Sequence, residues 1–268
     1  MKALEVLQYD PHFYRAVGTF LDPGFTGIIL LLTLIVIVYN GSCFKNGSCR
    51  AFSPVRHPRF VAGARREPLY ASHPFCLSKL SIIIHYPLSI LLYLALALTY
   101  SRASWLAFLV GMSVLAFYKK SWKIFLAAAG VLVLTWFLIP QPTGEGGKST
   151  RTYTIQARFQ NYQQAVKIFN EKPILGVGFN TLRYYQKNQP ENQAGAGLDN
   201  SWLFVLATTG ILGLASYLWL WFKALDKFKN PLIVSSFSAL FIHAFFVNSL
   251  FYSWVMAWIW IILAMENR

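Results

Sequence analysis

From residue 231 to residue 265 the chain runs without a single Asp, Glu, Lys or Arg. As one helix that run would reach ~50 Å at ~1.5 Å per residue, well past a hydrocarbon core of ~30 Å. It therefore reads as a hairpin of two membrane spans turning near Asn248 and Ser249. With the apolar runs that precede it, seven segments are legible, at 24–39, 80–99, 104–118, 122–139, 201–222, 232–247 and 251–265. Several fall short of the ~20 residues that a bilayer core asks for, so flanking Trp and Tyr supply the interfacial length. The expected fold class is an all-α integral membrane protein with about seven transmembrane helices.

Composition agrees. Hydrophobic residues make up 56% of the chain and charged residues 13%, with a mean hydropathy of +0.44, which excludes an ordinary soluble domain. A net charge of +14 raises the question of nucleic acid, but the cations are scattered through loops in no stripe or motif, and no nucleic-acid partner is expected. Residues 1–20 hold Glu5 and Asp10 and no apolar core, unlike a cleavable signal peptide.

The lysines orient the spans. Lys119, Lys120 and Lys123 fill one tight turn, and Lys223, Lys227 and Lys229 fill another; both belong on the cytoplasmic side. Counting outward from either turn puts the segment 40–79, with Lys45, Arg50, Arg56, Arg59, Arg65, Arg66 and Lys79, inside as well. The N-terminus, the Ser101-Arg102 turn and the loop 140–200 then fall outside, and the C-terminus inside. Three regions follow: an N-terminal transmembrane region (residues 1–139) with an atypical cytoplasmic segment 40–79, an external loop (140–200), and a C-terminal transmembrane region (201–268).

Arg15, Arg102 and the loop cations are positives on the unexpected side. Arg102 sits in a turn too short to cross regardless of charge. It either snorkels to headgroups or binds an anion at the external face. The spans are nearly free of ionisable residues, with His85 and His243 and no Asp or Glu at all, which argues against an ion-coupled carrier with midplane acids.

The external loop holds Lys148, Arg151, Arg158, Lys167, Lys172, Arg183 and Lys187 against Glu145, Glu171, Glu191 and Asp199. A cationic lobe on a bilayer is a natural receptor for a phosphate-bearing lipid. After a Gly-, Ser- and Thr-rich tether, Ile155, Phe159, Tyr162, Val166 and Phe169 recur at steps of four and three, so an amphipathic helix is expected over 153–170. Its apolar stripe would lie on the membrane surface or on the span ends. Arg151 and Arg158 are seven apart, on one face if the helix begins early enough. Asn180 could cap a second helix over 181–187 carrying Arg183, Tyr184 and Tyr185. The lone Gly176-Val177-Gly178 reads as a tight turn, since it lacks the strand and third glycine of a nucleotide loop. Asp199 and Asn200 precede the fifth span, where they would cap it; Asp199 could instead accept a proton at the surface beside the arginines.

Three stretches, in this order, resemble the O-antigen ligase/polymerase family of bacterial multi-pass membrane proteins. Leu98-Thr99-Tyr100-Ser101-Arg102 is similar to the family's Thr-x-Ser-Arg hairpin. The stretch from Arg158 to Glu171-Lys172-Pro173-Ile174-Leu175-Gly176-Val177-Gly178 resembles its arginine-led helix and Pro-(Ile/Leu)-Leu-Gly-x-Gly. Asp199-Asn200-Ser201-Trp202-Leu203 through Gly210-Ile211-Leu212-Gly213 resembles its His-Asn-x-x-Leu box and Gly-(Ile/Leu)-x-Gly helix. A weaker match surrounds Arg15, in Arg15-Ala16-Val17-Gly18-Thr19-Phe20.

The resemblance implies transfer of a glycan from a polyprenyl-diphosphate carrier to an acceptor sugar hydroxyl, on a glycan or lipid-glycan acceptor. The reaction would take place at the outer face of the cytoplasmic membrane, with neither metal nor cofactor. Carried over by position, Arg102 and Arg158 would hold the diphosphate and Asp199 would be the base. Arg15, Arg151, Arg183 and Asn200 are further candidates for substrate binding. The leaving diphosphate is anionic, and paired guanidiniums suit the charge that develops there. The family's box usually begins with histidine, whereas this chain has Asp199, whose reference pKa near ~3.9 is low for a base. Burial would raise it and nearby arginines would lower it.

The family also has more spans. The segment 40–79 contains all three cysteines and four prolines without apolar periodicity, as expected of a truncated or partly scrambled product. Cys43, Cys49, His57, His73 and Cys76 lack the paired knuckles of a zinc site, and no metal is expected. The competing readings are a carrier or flippase for an anionic lipid-linked glycan, and an inactive fragment of the family.

Overall fold

The computed structural model describes residues 22–45, 77–138, 152–179, 181–185, 197–227 and 230–266. Among them every regular element is helical. In chain order these are α1 (Pro23–Lys45), α2 (Leu77–Leu98), α3 (Arg102–Tyr118), α4 (Trp122–Leu138), α5 (Thr152–Glu171), α6 (Leu182–Tyr185), α7 (Ser201–Lys227) and α8 (Pro231–His243). A 3-10 turn (Ser249–Phe251) then leads into α9 (Ser253–Glu266).

Local chemistry fixes the ends. Asp22 caps α1, its Oδ1 accepting from the N–H groups of Gly24 (2.6 Å) and Phe25 (3.1 Å). Ser101 caps α3, and Asn230 caps α8 with Pro231 at the first helical position. The turn expected near Asn248 and Ser249 lies where α8 gives way to the 3-10 turn.

The core is built where α3 packs on α8, with α1 against both and against α2. Ile28, Leu31, Leu32 and Ile35 of α1, Ala107 and Leu115 of α3, Leu240 of α8 and Val255 of α9 are fully sealed within it. The outer surface is equally apolar. Phe117, Trp122, Leu126, Leu134, Phe137 and Leu138 lie open, a surface suited to hydrocarbon rather than water. Among the described residues two helices, over Pro23–Asn40 and Ser201–Asp226, are long and apolar enough to cross a membrane. The apolar helices His85–Leu98, Arg102–Tyr118, Trp122–Leu138, Pro231–His243 and Ser253–Ala264 are shorter.

The span expected over 201–222 falls within α7, which is not straight. Gly210 breaks α7 with φ 67° and ψ −167°. In a straight helix Trp202 and Trp221 would stand about 28 Å apart at ~1.5 Å per residue. Their rings are instead 5.8 Å apart, and Trp202 also meets Tyr217 at 6.1 Å. The two arms, 201–209 and 211–227, therefore fold back on each other, so length overstates what this helix can cross. The backbone groups opened by the break are taken by the Pro173–Gly178 segment. Val177 and Gly178 donate to the carbonyls of Ala207 (3.0 Å) and Thr208 (2.8 Å); Ile211 and Leu212 donate to those of Pro173 (2.9 Å) and Ile174 (3.4 Å). A Cβ on Gly176 would lie 2.4 Å from the Thr208 carbonyl carbon, and one on Gly210 2.3 Å from the Ile174 oxygen. Both glycines have φ of 67°, so each is required twice, by conformation and by contact.

Candidate functional site

The splice positions α5. Asn161 meets the loop before α7 at one end, and Pro173 and Ile174 meet Ile211 and Leu212 at the other, so α5 runs beside the first arm of α7 in the same direction. Ala165 and Ile168 pack there against Leu198 and Ala207. The helix spans its expected range, but the buried edge is displaced from the expected stripe. Phe159 and Val166 are 60% and 45% exposed, while the docked face carries Asn161, Tyr162, Ala165 and Ile168. The stripe is asymmetric because the neighbouring arm receives only one flank of it.

That docking sets Arg158 and Asp199 at the same end of the bundle. Asn161 holds the Asp199 loop, its Oδ1 accepting from Asp199 N–H and its Nδ2 donating to the Gly197 carbonyl, both at 3.4 Å. One residue on, the Tyr162 hydroxyl donates to the Phe245 carbonyl at 2.7 Å, tying α5 to the turn after α8. Crowding pushes the Asp199 carboxyl above the usual aspartate range, although its surface still opens to solvent; Arg158 draws it down and Asp22 pushes it up. Burial likewise raises the Tyr162 phenol. Arg158 opposes that shift, Asp199 adds to it, and a hydrogen bond with Asn200 lowers it again. Arg158, Tyr162, Asp199 and Asn200 thus form one electrostatic unit, with Asp22 at its edge.

Asn200 was expected to touch substrate. It is buried, and its Oδ1 accepts from the N–H groups of Trp202 (2.8 Å) and Leu203 (3.1 Å), so it holds the start of α7. Ser201 continues this seam, its N–H donating to the Ala244 carbonyl (2.9 Å) and its hydroxyl to that of Val247 (3.3 Å).

Arg102 opens α3 and is exposed. Behind it Thr99, Ser101 and Ser104 form a buried hydroxyl cluster. Ser101 N–H donates to Thr99 Oγ1 (3.3 Å), and Ser104 Oγ donates to Ser101 Oγ (2.9 Å). Ser104 also meets the His243 ring at 3.2 Å, which puts the Arg102 turn at the same end of the bundle as the turn that receives Tyr162.

Of the other expected residues, Arg15 and Arg151 lie outside the described residues, as do the cap expected at Asn180 and residues 186–187 of the helix expected after it; Arg183 falls in α6. Cys49, His57, His73 and Cys76 also lie outside them. Asn161, Tyr162 and Asp22 are additions. The first two adjoin Arg158 in sequence, which is the signal that could have found them. Asp22 carried only the signature of a cap, an acid before Pro-Gly at the head of an apolar run.

Fold and site together define a helical protein with an apolar outer surface and with Arg102, Arg158 and Asp199 at one end. Residues 87–218 match the O-antigen ligase family, a segment that takes in both arginines, Asp199 and the α7 break. That match supports membership of the O-antigen ligase family, whose proteins are bacterial membrane proteins of ligase or polymerase function in polysaccharide biosynthesis. No curated protein matches the chain.

Proposed function

We propose that this chain transfers a glycan from a polyprenyl-diphosphate carrier to an acceptor sugar hydroxyl at the outer face of the bacterial cytoplasmic membrane. The observation that carries the proposal is the fastening of the Asp199 loop by Asn161, one turn after Arg158 on α5, which sets Arg158 close enough to act on the Asp199 carboxyl within a segment that matches the O-antigen ligases. The acceptor oxygen attacks the anomeric carbon in line and with inversion. The bond from that carbon to the diphosphate oxygen breaks, and polyprenyl diphosphate leaves with the bonding electrons. Arg158 and Arg102 stabilise the charge that develops on it, and Asp199 takes the proton of the attacking hydroxyl.

The upward shift of the Asp199 carboxyl supports the role of base, because a stronger base accepts a proton more readily. The shorter apolar helices would cross together with α1 and the second arm of α7, their ends lengthened by interfacial aromatics. The lysine turns Lys119–Lys120 and Lys223–Lys227 would face the cytoplasm, and the Arg158–Asp199 end the outside.

The test is transfer by purified protein in liposomes, with a polyprenyl-diphosphate oligosaccharide and a panel of acceptors. Wild type should transfer, and Asp199→Asn and Arg158→Ala should each lose about a hundredfold or more in kcat. Full activity in both variants would end the proposal. Arginine-dependent binding of the donor without transfer would turn it toward a carrier.

A further inference from the structure

His243 is the most deeply enclosed ionisable side chain among the described residues, and the chemistry above does not use it. It closes α8 with no exposed surface, so no substrate reaches it. Each ring nitrogen faces a serine on a different element: Nε2 lies 3.2 Å from Ser104 Oγ on α3, and Nδ1 lies 3.2 Å from Ser249 Oγ on the 3-10 turn.

Both serines lead to the site. On one side Ser104 Oγ donates to Ser101 Oγ, the cap immediately before Arg102. On the other, Ser249 gives its one hydroxyl proton to Nδ1, the accepting nitrogen once Nε2–H donates to Ser104, while its backbone N–H donates to the Val247 carbonyl (2.7 Å), which also accepts from Ser201 Oγ, two residues after Asp199. Two residues before Val247, the Phe245 carbonyl receives the Tyr162 hydroxyl, one helical turn after Arg158. α1 closes over the join. A Cβ on Gly27 would come 2.3 Å from Ser104 Oγ, so the helix backbone lies directly on the hydroxyl that His243 meets.

We propose that His243 is a positioning residue. Braced between Ser104 and Ser249, it fixes the distance from Arg102 on α3 to Arg158 and Asp199 on the other arm of the site. A polar chain buried in an apolar core is held at a cost in desolvation, which matched partners at both ends offset only in one geometry. An aliphatic residue would fill the same space but leave α3 free to slide along α8. Imidazole suits the task because its two ring nitrogens point outward at a wide angle from one rigid ring, reaching two hydroxyls on separate elements. The role rests on the reading that Arg102 and Arg158 grip one diphosphate, and misplacing either should weaken the leaving group's stabilisation.

The experiment joins a distance to a rate. Nitroxides are placed on Leu106→Cys of α3 and Lys167→Cys of α5, both exposed, in a background of Cys43→Ser, Cys49→Ser and Cys76→Ser. Their separation is measured by pulsed dipolar spectroscopy in liposomes, and transfer kinetics are followed in the same background without labels. His243→Leu should shift or broaden the distance distribution and lower kcat by about 10–100-fold, the scale of a small misplacement at a reacting centre. His243→Gln, which keeps donor and acceptor capacity, should fall between it and wild type.

Ser104→Ala removes one contact with almost no change in volume, and should reproduce both effects if His243→Leu does not fold. A wild-type distance distribution or an undiminished kcat in folded His243→Leu overturns the proposal, as does the same result in Ser104→Ala. Should wild type itself transfer nothing, the glycan-transfer reading fails; the distance measurement still decides whether His243 braces the two arms.

Discussion

Asp199 stands where the resemblance would place a histidine, so in the proposed reaction the proton acceptor is a carboxylate. Its surroundings favour that role: crowding and the Asp22 charge push the carboxyl up, against the pull of Arg158. For a general base, the acid limb of the rate profile follows the pKa of that base. Asp22→Asn keeps the α1 cap, since Asn caps as well as Asp, but removes the charge. The acid limb of transfer should therefore move to lower pH in Asp22→Asn, and a limb that stays put or rises would remove Asp22 from the site. Stability gives an independent reading. A carboxyl whose folded pKa is raised favours the fold below its unfolded value, here 3.8, and loses that contribution as pH rises through the folded value. Asp199→Asn should thus melt no lower than wild type near neutral pH, with the difference gone below that value, while transfer is lost. Lower thermal stability across the whole range would mean that Asp199 is a structural cap. Arg158 and Asp199 were legible in the sequence because each stands in a recognisable stretch. Asp22 was not, because only the packing of α1 against the 244–252 turn, with Phe25 stacked on Tyr252 at 4.1 Å, brings it near.

α5 and α7 show what periodicity conveys and what it hides. The extent of α5 followed from its apolar repeat and from Pro173, which lies beyond its last turn. Its orientation did not follow, because a stripe that fits a membrane surface fits the side of another helix equally well. The break in α7 was hidden for a different reason. Ala207-Thr208-Thr209-Gly210-Ile211-Leu212-Gly213 reads as uninterrupted apolar helix, and a glycine within such a run is ordinarily tolerated. What makes Gly210 a corner is Gly176, brought against it from the far side of a loop that no local pattern reveals. Each glycine adopts a backbone that alanine enters at a cost of ~1–3 kcal/mol, before any backbone collision is counted. Gly210→Ala and Gly176→Ala should each lower the thermal midpoint and loosen α5, seen as faster amide exchange at Val177 and Gly178, whose N–H groups bridge to α7. Because both substitutions break one contact, the double variant should lose less than the sum of the two. Strict additivity would show that the two glycines act separately.

At the scale of the whole molecule, the ends of the bundle have different chemistry. One end gathers Asp22, Arg102, Arg158, Tyr162 and Asp199 around the turn between α8 and α9. The other carries Lys119, whose ammonium lies 4.3 Å from the Tyr39 ring centre, and Lys223, 5.1 Å from that of Trp219. Cations held over aromatic faces at helix ends suit an interface, where the ring is half in hydrocarbon and the charge is wet. α3 links the two ends directly: Ser104 meets His243 near its start, and a Cβ on Gly111, two turns on, would meet Ala239 at 3.1 Å. α3 and α8 are therefore antiparallel, and the lysine turn after α3 lies at the same end as the start of α8. If the lysine end is cytoplasmic, everything that touches the diphosphate must be external, whatever the number of crossings. Single cysteines at Lys120 and Lys172, in a background lacking Cys43, Cys49 and Cys76, read this out in intact cells with a membrane-impermeant maleimide. Lys172→Cys, exposed beside the splice, should react at once, and Lys120→Cys only after permeabilisation. Equal labelling of both from outside would overturn the proposed orientation. Labelling in the reverse order would put the Arg158–Asp199 end in the cytoplasm, where transfer to an external acceptor could not occur.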